Sequence, residues 1–596
     1  MNKGIFSFLL FVFTVFQAQH KPVQIAFLSD VHFQDLYGSF SDHGFRGIVN
    51  PGTGKPTILR TMDSQLHSTR IFNENYLAFL KALDDIAEKG IKIVAMPGDF
   101  SDDGQAYNLR GLRKILDRYR EKYGISFYLT TGNHDPVGPF RQDAGKDDFL
   151  GQDGKPLGIY SRENPGTPEN KIITKDIAAS GYLEILDELK GFGFYPDKEN
   201  LFWSTPFDPA SFKSYSYENA LRQAGYSKRM YEVSEGFSVP DLSYVVEPVK
   251  GIWMIAIDGN TYIPKNMHES PDHALNYKGA GIGYNNVISH KKHLIRWVKK
   301  IMQEAKMNGK TVIAFTHYPM IDYNDGATDE IKSLLGEKKW QMERVPGDEV
   351  AKAFADAGLQ VHFAGHMHIN DTGIRKTGDK MLVNIQVPSL AAYLPAYKIL
   401  TVHAPDKMEV QTEVLNTVPG FDALFPLYEK EYEALKNDPG KILWDKKILK
   451  SQSYHDFMLF HLKELVRLRM ITDDWPKSFV EKAGKLNGED LLLLVGDKNQ
   501  LKQKGISTAG FRTWNFDDLL LDLYKFQAAD ELAKKDIPEE RLRQYQVLEK
   551  LYRDNPSRDP FMVQLKSVFT ILSLLSDSDP ADHFKIDLRK KKVKRL

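Results

Sequence analysis

Ser126-Phe127-Tyr128-Leu129-Thr130-Thr131-Gly132-Asn133-His134-Asp135 changes character halfway along. Its first half is short, apolar and rich in aromatic and β-branched residues, the pattern of a buried strand. At Gly132 it turns into an amide, an imidazole and a carboxylate, side chains that hold a metal ion or move a proton. The same change recurs along the chain. Residues 23–28 run into Ser29-Asp30-Val31-His32, and residues 91–96 into Pro97-Gly98-Asp99. Residues 252–257 run into Asp258-Gly259-Asn260, residues 311–315 into Thr316-His317, and residues 361–364 into Gly365-His366-Met367-His368. Between them, Tyr76, Leu80, Leu83 and Ala87 share a helical face, as do Leu294, Trp297, Val298 and Ile301. Strands alternating with helices predict an α/β fold with covered sheets. Ligands of such sheets gather beyond the carboxyl ends of the strands, where these polar residues fall.

Other stretches interrupt the pattern. Residues from about 34 to 70 are rich in Gly, Ser, Asp and Pro and read as a long loop. Residues from about 136 to 244 form an insertion that leaves directly from Asn133-His134; a lid over the site and an embellishment packed elsewhere are both open readings. After about residue 415 helical spacing takes over, in the stripes Met458/Leu462/Leu465/Val466, Leu519/Leu523/Phe526 and Leu565/Val568/Leu572/Leu575. The expected organisation is a leader at 1–19, a main domain at 20–415 and an α-helical C-terminal domain at 416–596. The basic run from Arg589 to Arg595 reads as a frayed, solvated end.

The leader is read from Lys3, the apolar run over residues 5–16 and the polar turn at Gln17-Ala18-Gln19. This is the layout of a secretory signal peptide, which places the mature chain in the periplasm or outside the cell. No later segment is long and apolar enough to be a transmembrane span. Lys+Arg and Asp+Glu both number 79, so the whole-chain charge gives no reason to favour nucleic acid as a partner. The cysteine count is zero, which removes disulfides, thiolate metal sites and a cysteine nucleophile. Any metal is left to His, Asp, Glu, Asn or backbone, harder donors that suit Mn, Fe or Zn.

Taken in order, Asp30-Val31-His32, Gly98-Asp99, Gly132-Asn133-His134-Asp135, His317 and Gly365-His366-Met367-His368 resemble the motif set of the calcineurin-like metallophosphoesterase superfamily, over about residues 22–410. The resemblance implies a β-sandwich flanked by helices and a site for two divalent metal ions. It implies that Asp30, His32 and His368 bind one metal, that Asn133, His317 and His366 bind the other, and that Asp99 bridges them. It places His134 beside the metals, with Asp135 orienting it; His134 is the candidate general acid, with stabilisation of the transition-state charge as the alternative role. The implied reaction is hydrolysis of a small-molecule phosphate ester by a water activated between ions about 3.5–4 Å apart.

One departure separates the chain from purple acid phosphatases, which carry Tyr three residues after the bridging Asp; here that position is Asp102. The Gly132-Asn133-His134-Asp135 run looks more like the phosphodiesterase branches, so a phosphodiester is favoured and a monoester stays open. A nuclease, or a non-catalytic metal-binding protein on the same fold, are the alternatives. Pro388-Ser389-Leu390-Ala391-Ala392-Tyr393 is a candidate pocket wall or a surface turn. His290 and His293 read as a solvated helix face, His362 as core, and His268 and His273 as a weak third metal candidate.

Overall fold

The computed structural model describes residues 22–596 apart from 164, 165, 167, 437, 439, 441, 442 and 504. The leader expected over residues 1–19 lies outside the described residues. The strands of the main sheets are β1 (Val23–Phe27), β2 (Ile93–Pro97), β3 (Ser126–Thr130), β4 (Phe202–Ser204), β5 (Tyr244–Val249), β6 (Ile252–Ile257), β7 (Thr311–Thr316), β8 (Val361–Ala364), β9 (Asp371–Thr377), β10 (Lys380–Gln386), β11 (Ala396–Ala404), β12 (Lys407–Val414), β13 (His583–Asp587) and β14 (Lys592–Arg595). They form two seven-stranded sheets, in the orders β14-β13-β12-β11-β1-β2-β3 and β9-β10-β8-β7-β6-β5-β4.

Within these sheets β1, β2 and β3 are parallel, and so are β6, β7, β8 and β10. Parallel strands send their carboxyl ends to the same edge, so the polar motifs that follow β1, β2, β3, β7 and β8 are brought together by topology. The sheets meet face to face through aromatic side chains. Phe27 of β1 stacks on Phe363 of β8 at 3.7 Å between centroids and meets Phe315 of β7 edge-on at 6.4 Å.

Helices cover the outer faces: α1 (Asn75–Glu88), α2 (Ala106–Tyr123), α3 (Lys292–Met307) and α4 (Asp348–Ala357). In α3 the expected stripe Leu294, Trp297, Val298 and Ile301 is buried. In α1 the buried line is Ala78, Phe79, Ala82, Leu83 and Ile86, while Tyr76, Leu80 and Ala87 sit at its margin. Apolar residues flank both sides of that helix, so its rotation is set by docking and not by spacing.

The C-terminal helical region includes α5 (Tyr454–Leu465), α6 (Phe516–Ala529) and α7 (Pro560–Ser576). The change of texture near residue 415 is not the change of core. Leu424, Tyr428, Tyr454, Phe457 and Met458 still pack into the core of the sandwich. A second core takes in Leu462, Val466, Leu519, Leu523, Phe526, Leu565, Val568, Leu572 and Leu575, together with Trp340 and Tyr393 from the sandwich half. The basic end is not frayed: β13 and β14 return to the first sheet beside β12. Its lysines lie on an edge strand, where like charges discourage pairing with another chain. The stretch expected as a loop after residue 34 carries a short hairpin, Ile48–Val49 with Pro56–Thr57, and a helix at Met62–Leu66. The insertion supplies β4, an edge strand of the second sheet, and a small separate sheet at Gly145–Leu150, Pro156–Tyr160 and Lys171–Ile173.

Phe27→Ala removes the ring that both sheets share. It is expected to destabilise the chain by about 3–5 kcal/mol, the usual cost of emptying a buried aromatic site, read from the shift of the urea unfolding midpoint.

Candidate metal centre

The functional turns after β1, β2 and β8 bend sharply as their strands end. Asp30, His32, Asp99, His366 and His368 all have left-handed backbone, with φ of 49°, 43°, 48°, 73° and 59°. Side-chain-bearing residues adopt this region at a cost of order 1–3 kcal/mol each, and they persist only where their surroundings over-determine them. Here the turns hold one another. The His32 amide donates to Asp99 O at 2.8 Å, Gly365 N to His317 O at 2.8 Å, and the His366 amide to the Asp30 carboxylate at 2.9 and 3.0 Å. The contacts are too close for side chains at two motif glycines. A Cβ on Gly132 would lie 2.2 Å from Asp99 Oδ1, and one on Gly365 would lie 2.1 Å from Asp30 Oδ2.

Two buried clusters result. In one, His368 Nε2 lies 3.1 Å from His32 Nε2 and 3.4 Å from Asp30 Oδ1. In the other, His317 Nε2 lies 3.1 Å from Asp99 Oδ2, 3.1 Å from Asn133 Oδ1 and 3.0 Å from His366 Nδ1. The same Asp99 oxygen is 3.8 Å from His32 Nε2, so this carboxylate stands between the clusters.

The chemistry of the donors shows what fits. His317 Nδ1 faces Pro97 O at 3.1 Å, and His366 Nε2 faces Gly281 O at 2.8 Å. Those carbonyls accept the ring protons, which leaves lone pairs on His317 Nε2 and His366 Nδ1. These point at each other, at an amide oxygen and at a carboxylate, all acceptors. Such a convergence is repulsive until a cation fills it, and the ligand types are those of a divalent metal held by nitrogen and oxygen. Burial, aided by Arg344, keeps His366 well below the ordinary imidazole pKa, and burial aided by Arg70 does the same for His32. Neutral imidazole is the ligating form. Burial also opposes charge on His317, but Asp99 and Asp30 outweigh it and raise its pKa, so the carboxylates favour a cation at this ring. For Asp99 burial works toward protonation, yet His317 and His134 outweigh it and hold the carboxyl well below its usual range.

His134 stands at the edge of the clusters, its ring centroid 5.1 Å from that of His32. Its amide donates to Asp99 Oδ1 at 2.9 Å, and its Nδ1 pairs with Asp103 at 2.5 Å. The carboxylate on this ring is therefore Asp103, and not Asp135 as expected from the sequence. Asp135 points the other way and accepts the amides of Phe100 and Ser101, both at 3.3 Å, bracing the segment that carries Asp99. Burial, then the nearby Asp99 charge, raise its pKa well above the usual carboxylate range. Sequence reasoning missed Asp103; the signal was a further carboxylate right after Asp102. Lys146 from the insertion pairs with Asp103, while Arg60 and Arg70 hold Asp102 at 3.0 and 3.2 Å. The position that would be Tyr in a purple acid phosphatase is thus the anchor of an ion-pair network.

Asp99, Asn133, His134, His366 and His368 open onto a cavity of about 240 Å³. Its far wall is Leu462, Leu465, Met470 and Tyr524 of the helical region, joined by Tyr393 and by Arg344, a residue without a sequence signal. The insertion instead lines the opposite flank of His134, through Gln142, Lys146 and Ala179. The remaining histidines lie elsewhere. His293 is not solvated but pairs with buried Asp241 at 2.8 Å, His362 bonds Asn384 inside the core at 2.8 Å, and the His273 ring meets Glu269 at 3.3 Å on the surface.

Residues 23–246 match the model of the family described as calcineurin-like phosphoesterase. The solved structures that resemble the chain include a dimetal phosphatase from Danio rerio, at 11% identity and a TM-score of 0.32, covering 65% of this chain and 95% of that one. They also include a purple acid phosphatase from yellow lupin (Lupinus luteus) seeds, at 9% identity and a TM-score of 0.30, covering 66% of this chain and 52% of that one. A search of curated proteins finds no match.

Gly132→Ala drives a methyl group against the Asp99 carboxylate while every donor residue stays in the chain. It is expected to lower the bound metal per chain, measured by elemental analysis after Mn²⁺ reconstitution and desalting, while the far-ultraviolet circular dichroism stays that of the parent.

Proposed function

We propose that this calcineurin-like metallophosphoesterase, a metal-dependent hydrolase of phosphoric esters, acts outside the cytoplasm on small phosphate esters, with phosphodiesters favoured over monoesters. The observation that carries the reading is the convergence of Asp30, His32, Asn133, His317, His366 and His368 on either side of one buried carboxylate, Asp99. Asp30, His32 and His368 would hold one divalent ion, and Asn133, His317 and His366 the other, with Asp99 shared. Their nitrogen and oxygen atoms suit Mn, Fe or Zn. When bound, the ions supply charge for the phosphoryl oxygens and a water acidified toward hydroxide.

The protein's own contribution is orientation and a proton. Asp103 fixes the His134 ring with Nδ1 toward itself, so Nε2 is the nitrogen presented to the cavity. From there it hands a proton to the leaving oxygen, a role worth about 10²–10⁴-fold in rate. Two carboxylates among the donors leave the centre with net positive charge once ions bind, which favours an anionic ester. A cavity of about 240 Å³ and equal numbers of acidic and basic residues support a small molecule over nucleic acid. The diester preference is supported by the Gly132-Asn133-His134-Asp135 run, and export by the pattern over residues 3–19.

The test is hydrolysis of a chromogenic phosphodiester and the matching monoester by the chain from His20 onward, reconstituted with Mn²⁺. Parent activity on either ester, greater on the diester, is the expected result. Asp99→Asn is expected to lose both activity and metal. His134→Ala is expected to keep its metal and lose about 10²–10⁴-fold in kcat, with Asp103→Asn falling between it and the parent. Equal metal loss in Asp99→Asn and His134→Ala would move His134 into the metal shell instead.

A further inference from the structure

The cations around the metal centre differ in one respect. Arg60, Arg70 and Lys146 are committed to Asp102 and Asp103, and Arg469 to Asp473 at 3.2 Å and His67 O at 3.0 Å. Arg344 lines the same cavity as Asp99, His134 and His366, half-buried, and among the described residues it has no ion pair or side-chain hydrogen bond. A half-buried guanidinium with no protein partner is open to an anion. Its planar fork matches phosphoryl oxygens in particular.

The segment that carries Arg344 is held from the far side. Trp340 and Gln341 both have left-handed backbone at φ 55°, an unfavourable pair for residues with side chains, and lead into the turn Met342–Arg344. The helical region fixes them. Trp340 stacks on Tyr524 of α6 at 4.6 Å and 23°, its amide donates to Asp474 at 3.1 Å, and Lys339 reaches Asp473 O. On the other flank Asn285 donates to Val345 O at 3.0 Å. A loop clamped at both ends holds the cation at a set place above the centre.

We propose that Arg344 is a substrate-binding residue that takes a non-bridging phosphoryl oxygen of the ester, and that the C-terminal helical region completes the active site by holding Arg344 there through the contact of Trp340 with Tyr524. The proposal rests on the phosphoesterase reading above. It also gives the helices a second role: Leu462, Leu465, Met470 and Tyr524, together with the polar Asp473, Asp474 and Gln527, form the wall that faces the alcohol part of the substrate.

The experiment is calorimetric binding of inorganic phosphate to the full chain reconstituted with Mn²⁺, alongside KM and kcat for whichever ester is hydrolysed. Arg344→Gln is expected to weaken phosphate binding about 10–100-fold, the range for a charge-assisted hydrogen bond, with Mn²⁺ content unchanged and KM raised more than kcat is lowered. Arg344→Lys, which keeps the charge but not the fork, is expected to fall between. Trp340→Ala is expected to reproduce the KM effect and Trp340→Phe to restore the parent value, a rescue that a general loss of stability would not give. Parent-like phosphate affinity in Arg344→Gln, beside a parent that binds phosphate, overturns the role of Arg344 and leaves the phosphoesterase reading standing. A parent that holds Mn²⁺ but binds no phosphate removes both.

Discussion

A single carboxylate, that of Asp99, sits almost fully buried between two groups of imidazoles, and the surrounding architecture is arranged to keep it there. A buried charge is expensive unless paired, and this one is met by His317 and His32 and by the amide of His134. Its backbone is in turn braced by Asp135, and its flank is kept free by the missing side chain of Gly132. Sheets, turns and helices can be read outward from this point as successive supports for one charged group.

The supports are bistrand and local at first. Parallel β1, β2 and β3 in one sheet and β7 and β8 in the other deliver their ends to the same edge. Left-handed residues at those ends then turn the side chains inward. The strain of these turns is distributed among amide bonds that run from one turn to the next, so that no turn is independent of its neighbours. The apolar stacking of Phe27 on Phe363 below the site fixes the spacing of the sheets and hence of the two donor clusters.

A second layer of charge surrounds the first. Asp102 and Asp103 gather Arg60, Arg70 and Lys146, and Asp103 reaches back to His134. The helical region adds the roof. Its core includes Trp340 and Tyr393 from the sandwich half, so the two halves are joined through side chains that also border the cavity. Substitutions in this seam therefore couple stability to the shape of the site.

The sequence by itself determined β1, β2, β3, β6, β7 and β8, the polar residues at their ends and the ligand types those residues offer, because strand burial and ligand type are written locally in residues such as 126–130 and Asn133-His134. It also marked the helical character of the later chain through the period of its apolar stripes. Tertiary structure alone decided which carboxylate meets His134. Asp135 is its chain neighbour, but consecutive residues diverge at a tight turn, and Asp103 arrives from another strand end. It alone decided that the helical region walls the cavity onto which Asp99, His366 and His368 open, while the insertion lines the other flank of His134, and that Arg344 belongs in that cavity. Those facts depend on how separate segments dock against one another, through contacts such as Trp340 with Tyr524, and a contact between residues so far apart in the chain leaves no local pattern to read.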